Sequence, residues 1–140
     1  MKTQNGFSLI EIMVVLIIIG VITAGVGAKF LGKADEARFK QVKVDFSNIE
    51  KALSLYKLDN YNFPTNEQGL EALIEKPAEA RQWQEGGYLN RLPIDPWGNA
   101  YVYITPGEGQ PFDLYSLGAD GKSGGEGNDK DIYMGKEAEQ

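Results

Sequence analysis

No cysteine and no histidine occur among the 140 residues of this chain. Without a thiol there are no disulfides, thiolate nucleophiles or cysteine-held metals. Without an imidazole the commonest general base and the usual zinc sites are absent too. A basic patch is also missing. Setting aside residues 1–28 removes Lys2 and Glu11, one charge of each sign, so the remainder keeps the whole chain's net charge of −6. Such an acidic body argues against nucleic acid as a partner, and against docking on anionic lipid through the globular surface. There are no internal repeats. Carboxylates cluster late in the chain, but no base, nucleophile or phosphate-binding motif converges with them, so catalysis is not expected. Glycine, by contrast, is plentiful at 17 residues, and eight of them gather late, between Gly107 and Gly135.

The most conspicuous feature present is an apolar run over residues 7–28, interrupted by a carboxylate at Glu11. As a helix it would extend about 33 Å, enough for the hydrocarbon core of a bilayer. A charge at the centre of such a helix costs roughly 2.5–3.5 kcal/mol, and less near the end where Glu11 sits. Three readings fit. A secretory signal peptide would use Lys2 as its charged start and Val26-Gly27-Ala28 as a small-residue cleavage site. A plain single-span anchor would need no cleavage. The third reading turns on Gly6-Phe7-Ser8-Leu9-Ile10-Glu11, which resembles the processing site of type IV pilins and pseudopilins. That resemblance implies a cut between Gly6 and Phe7 by a membrane-bound prepilin peptidase, and methylation of the new amine on Phe7.

The third reading gives the carboxylate a physical role. After cleavage the Phe7 ammonium lies about 6 Å along the helix from Glu11. A neighbouring subunit displaced by that amount would set its own Phe7 amine beside this carboxylate. A paired charge in lipid is far cheaper than an unpaired one, so the pairing favours assembly in one stagger. The positive-inside rule gives an opposing indication of orientation. Lys29, Lys33, Arg38, Lys40 and Lys43 outweigh Lys2 and the initiator amine, which would leave the body in the cytoplasm.

No proline or turn cluster follows Ala28. Phe39, Val42, Phe46, Ile49, Leu53 and Tyr56 recur at steps of three and four, the pattern of an amphipathic helix reaching about Leu58. Residues 59–64 end it. Thr65-Asn66-Glu67-Gln68 reads as a capping box opening a short helix to about Glu75, with Leu70, Leu73 and Ile74 inward. Residues 92–99 are dense in turn formers, and strands are expected over 100–105 and 112–116.

The segment 117–131 cannot bury much. It offers Asp120, Glu126, Asn128, Asp129 and Asp131 as oxygen donors, with glycines free to turn carbonyls inward. Calcium takes about six to eight such oxygens. A solvated acidic loop is the plainer alternative. The alternating pattern of an EF-hand is absent, and residues 124–129 fit only half of a calcium-binding nonapeptide repeat.

Phe63-Pro64-Thr65, Glu67-Gln68-Gly69-Leu70, Leu92-Pro93 with Asp95-Pro96-Trp97-Gly98-Asn99, and Leu117-Gly118-Ala119-Asp120-Gly121 appear in order along nearly the whole chain. Together they resemble the major pseudopilin of the bacterial type II secretion system. The resemblance implies an α+β, type IV pilin-like fold: a long amino-terminal helix, its first half transmembrane, packed on a small antiparallel sheet with a calcium-binding carboxy-terminal loop. It implies a leader at 1–6, a transmembrane and assembly helix at 7–28, and a periplasmic domain at 29–140. It places the protein in the bacterial inner membrane as a single-pass homopolymer subunit. Minor pseudopilins, an inner-membrane assembly platform and prepilin peptidase would be its partners. By position, the calcium ligands are the Leu117 carbonyl and the side chains of Asp120, Asn128 and Asp131, with Glu126 and Asp129 nearby.

This chain departs from the family in having Ala28 where proline is usual, which implies a straighter helix. It also has Ile132-Tyr133-Met134-Gly135 where Ile-Gly-Asn-Trp is common. The alternatives are the major subunit of a surface type IV pilus and a soluble periplasmic calcium-binding protein with a signal peptide. The pilus reading is weakened because such pilins commonly close their last loop with a disulfide.

Overall fold

The computed structural model describes residues 7–135, with the side chains of all of these except 24–31. The leader, including Gly6, and the last five residues lie outside the described residues. Helix α1 runs from Leu9 to Asn60. The chain divides into two compact units, one up to Ala37 and one from Arg38 onward, and α1 contributes to both.

In the first unit, Ser8 receives the opening hydrogen bonds of α1, its carbonyl accepting from Glu11 N at 3.0 Å and Ile12 N at 3.3 Å. Every apolar side chain from Phe7 to Ile22 is exposed. A helix that is apolar on all sides and covered by none of the described residues suits lipid or the surface of another helix. Thr23 fits such a setting, because its hydroxyl donates to Ile19 O at 2.7 Å and so satisfies itself within the helix. Among the described residues no helix is long and apolar enough to cross a membrane. The expected span at 7–28 includes five residues whose side chains are outside the description.

The second unit has a conventional core. Val42, Phe46, Ile49, Leu53 and Tyr56 are all buried, as their spacing predicts, and Phe39 is half-buried edge-on to Trp97. The helix ends where Tyr61 turns left-handed at φ 67°, its N–H still reaching Lys57 O at 2.7 Å. The capping box forms in full: Gln68 N donates to Thr65 Oγ1 at 3.2 Å, and Thr65 N to Gln68 Oε1 at 3.0 Å. The element it opens is shorter than expected. Gly69 adopts φ 57°, which breaks the turn, and a single 3₁₀ helix follows over Leu70–Leu73. Leu70, Ala72 and Leu73 are buried, whereas Ile74 is half-buried.

Three antiparallel strands lie in the order β1-β2-β3: Val102–Ile104, Asp113–Ser116 and Ile132–Tyr133. Val102 pairs with Tyr115 and Ile104 with Asp113, while Tyr115 also faces Tyr133 with rings stacked at 4.7 Å. The central strand carries Leu114 into the core beside Phe112 and Tyr101. The ring of Tyr101 meets Phe46 edge-on at 5.4 Å, so the helix segment of this unit packs directly on the sheet. The third strand was not expected from sequence. It has two residues and follows a glycine-rich stretch that hides any period-two signal.

Candidate functional site

The acidic glycine-rich segment leaves β2 at Ser116 and returns as β3 at Ile132. Its entry is tied to the turn at residues 95–99. Asp95, only 2% exposed, accepts from Trp97 N at 3.1 Å and Asn99 N at 2.7 Å through one oxygen. Its other oxygen accepts the Ser116 hydroxyl at 2.6 Å. Ser116 Oγ in turn accepts from Gly118 N at 3.2 Å, and the Asn99 side-chain amide donates to Gly118 O at 2.8 Å.

Within the loop two further ties bring distant residues together. Ala119 N donates to Asn128 O at 2.8 Å. Gly124 N donates to Asp131 Oδ2 at 3.0 Å, and Asp131 N returns a bond to Gly124 O at 3.3 Å. Gly118, at φ 67°, lies so close to the returning chain that a Cβ there would stand 2.7 Å from Asn128 O. Only glycine fits that approach in that conformation. The loop is therefore a folded object despite having no buried apolar side chain of its own, since its order comes from backbone ties.

The expected metal ligands fall unevenly in this frame. Asn128 and the start of the loop are joined through a main-chain bond, and Asp131 is held against Gly124. Asp120 is exposed, with Oδ1 accepting from Lys122 N at 3.0 Å in a local turn. Glu126 and Asp129 are exposed. Among the described residues no three carboxylates, cysteines or histidines converge as a metal group. The expected set has two carboxylates and draws its other oxygens from a carbonyl and an amide.

One atom supports the fit. Asp131 Oδ1 is buried and has no hydrogen-bond partner. A desolvated carboxylate oxygen without a donor is costly, by about 1–3 kcal/mol or more, and a hard cation satisfies it well. The residues present therefore suit an oxygen-seeking divalent ion. Sequence reasoning missed Asp95, Asn99 and Ser116 as parts of this site. The turn-former cluster at 92–99 was visible, but nothing in it revealed a contact with a serine 21 positions away.

Comparison with known proteins decides the lineage. The family model "Type II secretion system (T2SS), protein G" matches residues 29–135, and the prokaryotic N-terminal methylation motif matches residues 1–27. The chain belongs to the type II secretion system protein G family. Type II secretion system core protein G of Pseudomonas aeruginosa is 51% identical to it over 134 residues, covering 94% of each chain. That of Vibrio cholerae is 48% identical over 134 residues, covering 94% of this chain and 92% of the relative. The crystal structure of the major pseudopilin from the type 2 secretion system of enterohaemorrhagic Escherichia coli superposes with a TM-score of 0.66. It is 42% identical, and the match covers 74% of this chain and 90% of that one.

Membership of the protein G family makes this chain a major pseudopilin. The helix and small antiparallel sheet expected from the resemblance are both present. The methylation-motif match takes in Gly6, Phe7 and Glu11 together.

Proposed function

We propose that this major pseudopilin is a non-catalytic subunit that polymerises into the periplasmic pseudopilus, and that the rod helps push folded proteins across the outer membrane. The observation that carries the reading is the exposed apolar stretch from Phe7 to Ile22, helical from Leu9 and bearing one carboxylate at Glu11. Residues 7–28 anchor the subunit in the inner membrane, with residues 29–140 in the periplasm. Prepilin peptidase removes residues 1–6 after Gly6, and Phe7 becomes the methylated terminus. Minor pseudopilins and the inner-membrane assembly platform are the further partners. Membership of the protein G family favours this reading over a surface type IV pilus.

In the polymer, Glu11 of one subunit pairs with the Phe7 ammonium of the next. Each charge alone is unfavourable in lipid, and together they cost much less, so the pair rewards one stagger over others. Glu11 also lies in the first turn of α1, where a negative charge is favoured by the helix dipole.

In the loop, the Leu117 carbonyl, Asp120, Asn128 and Asp131 hold calcium. When bound, the ion supplies a point of positive charge that orders an otherwise coreless segment, so its binding energy becomes folding energy. The orphaned Asp131 Oδ1 supports this assignment.

Replacing Glu11 by Leu tests the assembly role. The variant should remain in the membrane fraction and fail to form filaments. Normal filaments from Glu11→Leu would refute the pairing.

A further inference from the structure

The most buried carboxylate beside the loop is Asp95, and its bonds form a directed chain. A serine hydroxyl has one hydrogen. Ser116, fully buried, spends that hydrogen on Asp95 Oδ2 at 2.6 Å, so its oxygen meets Gly118 N–H only as an acceptor, at 3.2 Å. The peptide joining Leu117 to Gly118 is planar and trans, so its carbonyl points opposite to its N–H. Holding the Gly118 N–H toward Ser116 thus aims the Leu117 carbonyl the other way. The next peptide is fixed as well. Asn99, whose own N–H is bound to Asp95 Oδ1 at 2.7 Å, donates its side-chain amide to Gly118 O at 2.8 Å. Two successive peptides at the loop's entry are oriented by one buried carboxylate that is not itself an expected ligand.

We infer that Asp95, acting through Ser116 and Asn99, is a positioning residue for calcium: it presets the Leu117 carbonyl before the ion arrives. The inference rests on the calcium reading above. It differs from a purely structural role in what it demands. A structural aspartate stabilises the turn at 95–99 with or without metal. A positioning aspartate also sets the affinity of a site it does not touch.

Asp95→Asn is the sharpest probe. Its oxygen can still serve Trp97 N and Asn99 N, keeping the turn. Its amide would donate to Ser116, and the displaced hydroxyl hydrogen would lose its buried acceptor, so nothing would fix the lone pair that Gly118 N–H meets. Ser116→Ala removes the relay. Asn99→Ala, at a half-buried position, cuts the second arm without disturbing the buried pair. Asp45→Asn is the control, a buried carboxylate bonded to Gln41 and Tyr101 and not to the loop.

The test is calorimetric titration of the full-length chain in detergent micelles with calcium, together with hydrogen exchange of the Gly118 amide in calcium-free protein. Asp95→Asn, Ser116→Ala and Asn99→Ala should weaken calcium binding by roughly 10- to 100-fold, the usual effect of losing an outer partner of a metal ligand. Asp95→Asn and Ser116→Ala should also speed Gly118 exchange. Asp45→Asn should lower the melting temperature and leave calcium affinity unchanged. Wild-type affinity in Asn99→Ala and in whichever buried-pair variant folds would overturn the inference while sparing the calcium site. Absence of calcium binding by the wild type would overturn both.

Discussion

Tyr101 donates its hydroxyl hydrogen to Asp45 Oδ2 at 2.7 Å, joining the sheet side of the core to the helix across 56 positions of sequence. Both residues are buried, and the second Asp45 oxygen accepts from Gln41 Nε2 at 2.9 Å. Burial first, and then this bond to Asp45, raise the Tyr101 phenol well above its ordinary pKa. Tyr101→Phe would leave a buried carboxylate oxygen without its donor. The expected cost is about 1–3 kcal/mol, read as a lowered urea midpoint. An unchanged midpoint would show that the bond contributes nothing net.

Alkaline pH should act through the same class of residue. Tyr103 and Tyr88 are both pushed up to about 12, chiefly by burial, and Tyr88 also by its hydrogen bond to Asp59 at 2.7 Å. The unfolded phenol titrates near 10.0. The folded state therefore holds these protons longer than the unfolded one. The stability they contribute is fully present below pH 10 and is lost as the pH rises toward 12. Melting temperature followed with phenolate absorbance should fall through that window. Replacing Tyr88 and Tyr103 together by Phe should flatten the fall, and an equally steep fall in the double variant would contradict the assignment.

Much of this unit could be read from sequence because its signals are local or periodic. The stripe from Val42 to Tyr56 faces the core as its spacing requires, and Thr65 and Gln68 cap each other as their identities predict. The failures have a common cause. The short helix after the cap is cut down by Gly69, whose φ of 57° is one glycine adopts as readily as a helical one, so its identity alone does not say which. The strand at Ile132 exists because β2 offers it an edge. Asp95 stood in plain view inside a turn, yet its role depends on Ser116 and Gly118, residues that only folding brings near.

Removing calcium should loosen the segment between Ser116 and Ile132. In full-length protein held in detergent, calcium at a hundredfold excess over its Kd should add about 2.7 kcal/mol to stability. A chelator should abolish that gain and lower the melting temperature, and magnesium alone should not restore it fully, because its tighter octahedral demand suits this loop less well. Identical melting with and without chelator would exclude a structural ion.

The amino terminus offers the most direct test of assembly through a processed membrane helix. Intact-mass measurement of the membrane-bound protein should show residues 1–6 removed and a single methyl group added at Phe7. A chain beginning at Lys29 would identify a signal peptide, leave no Glu11 to pair, and contradict the account.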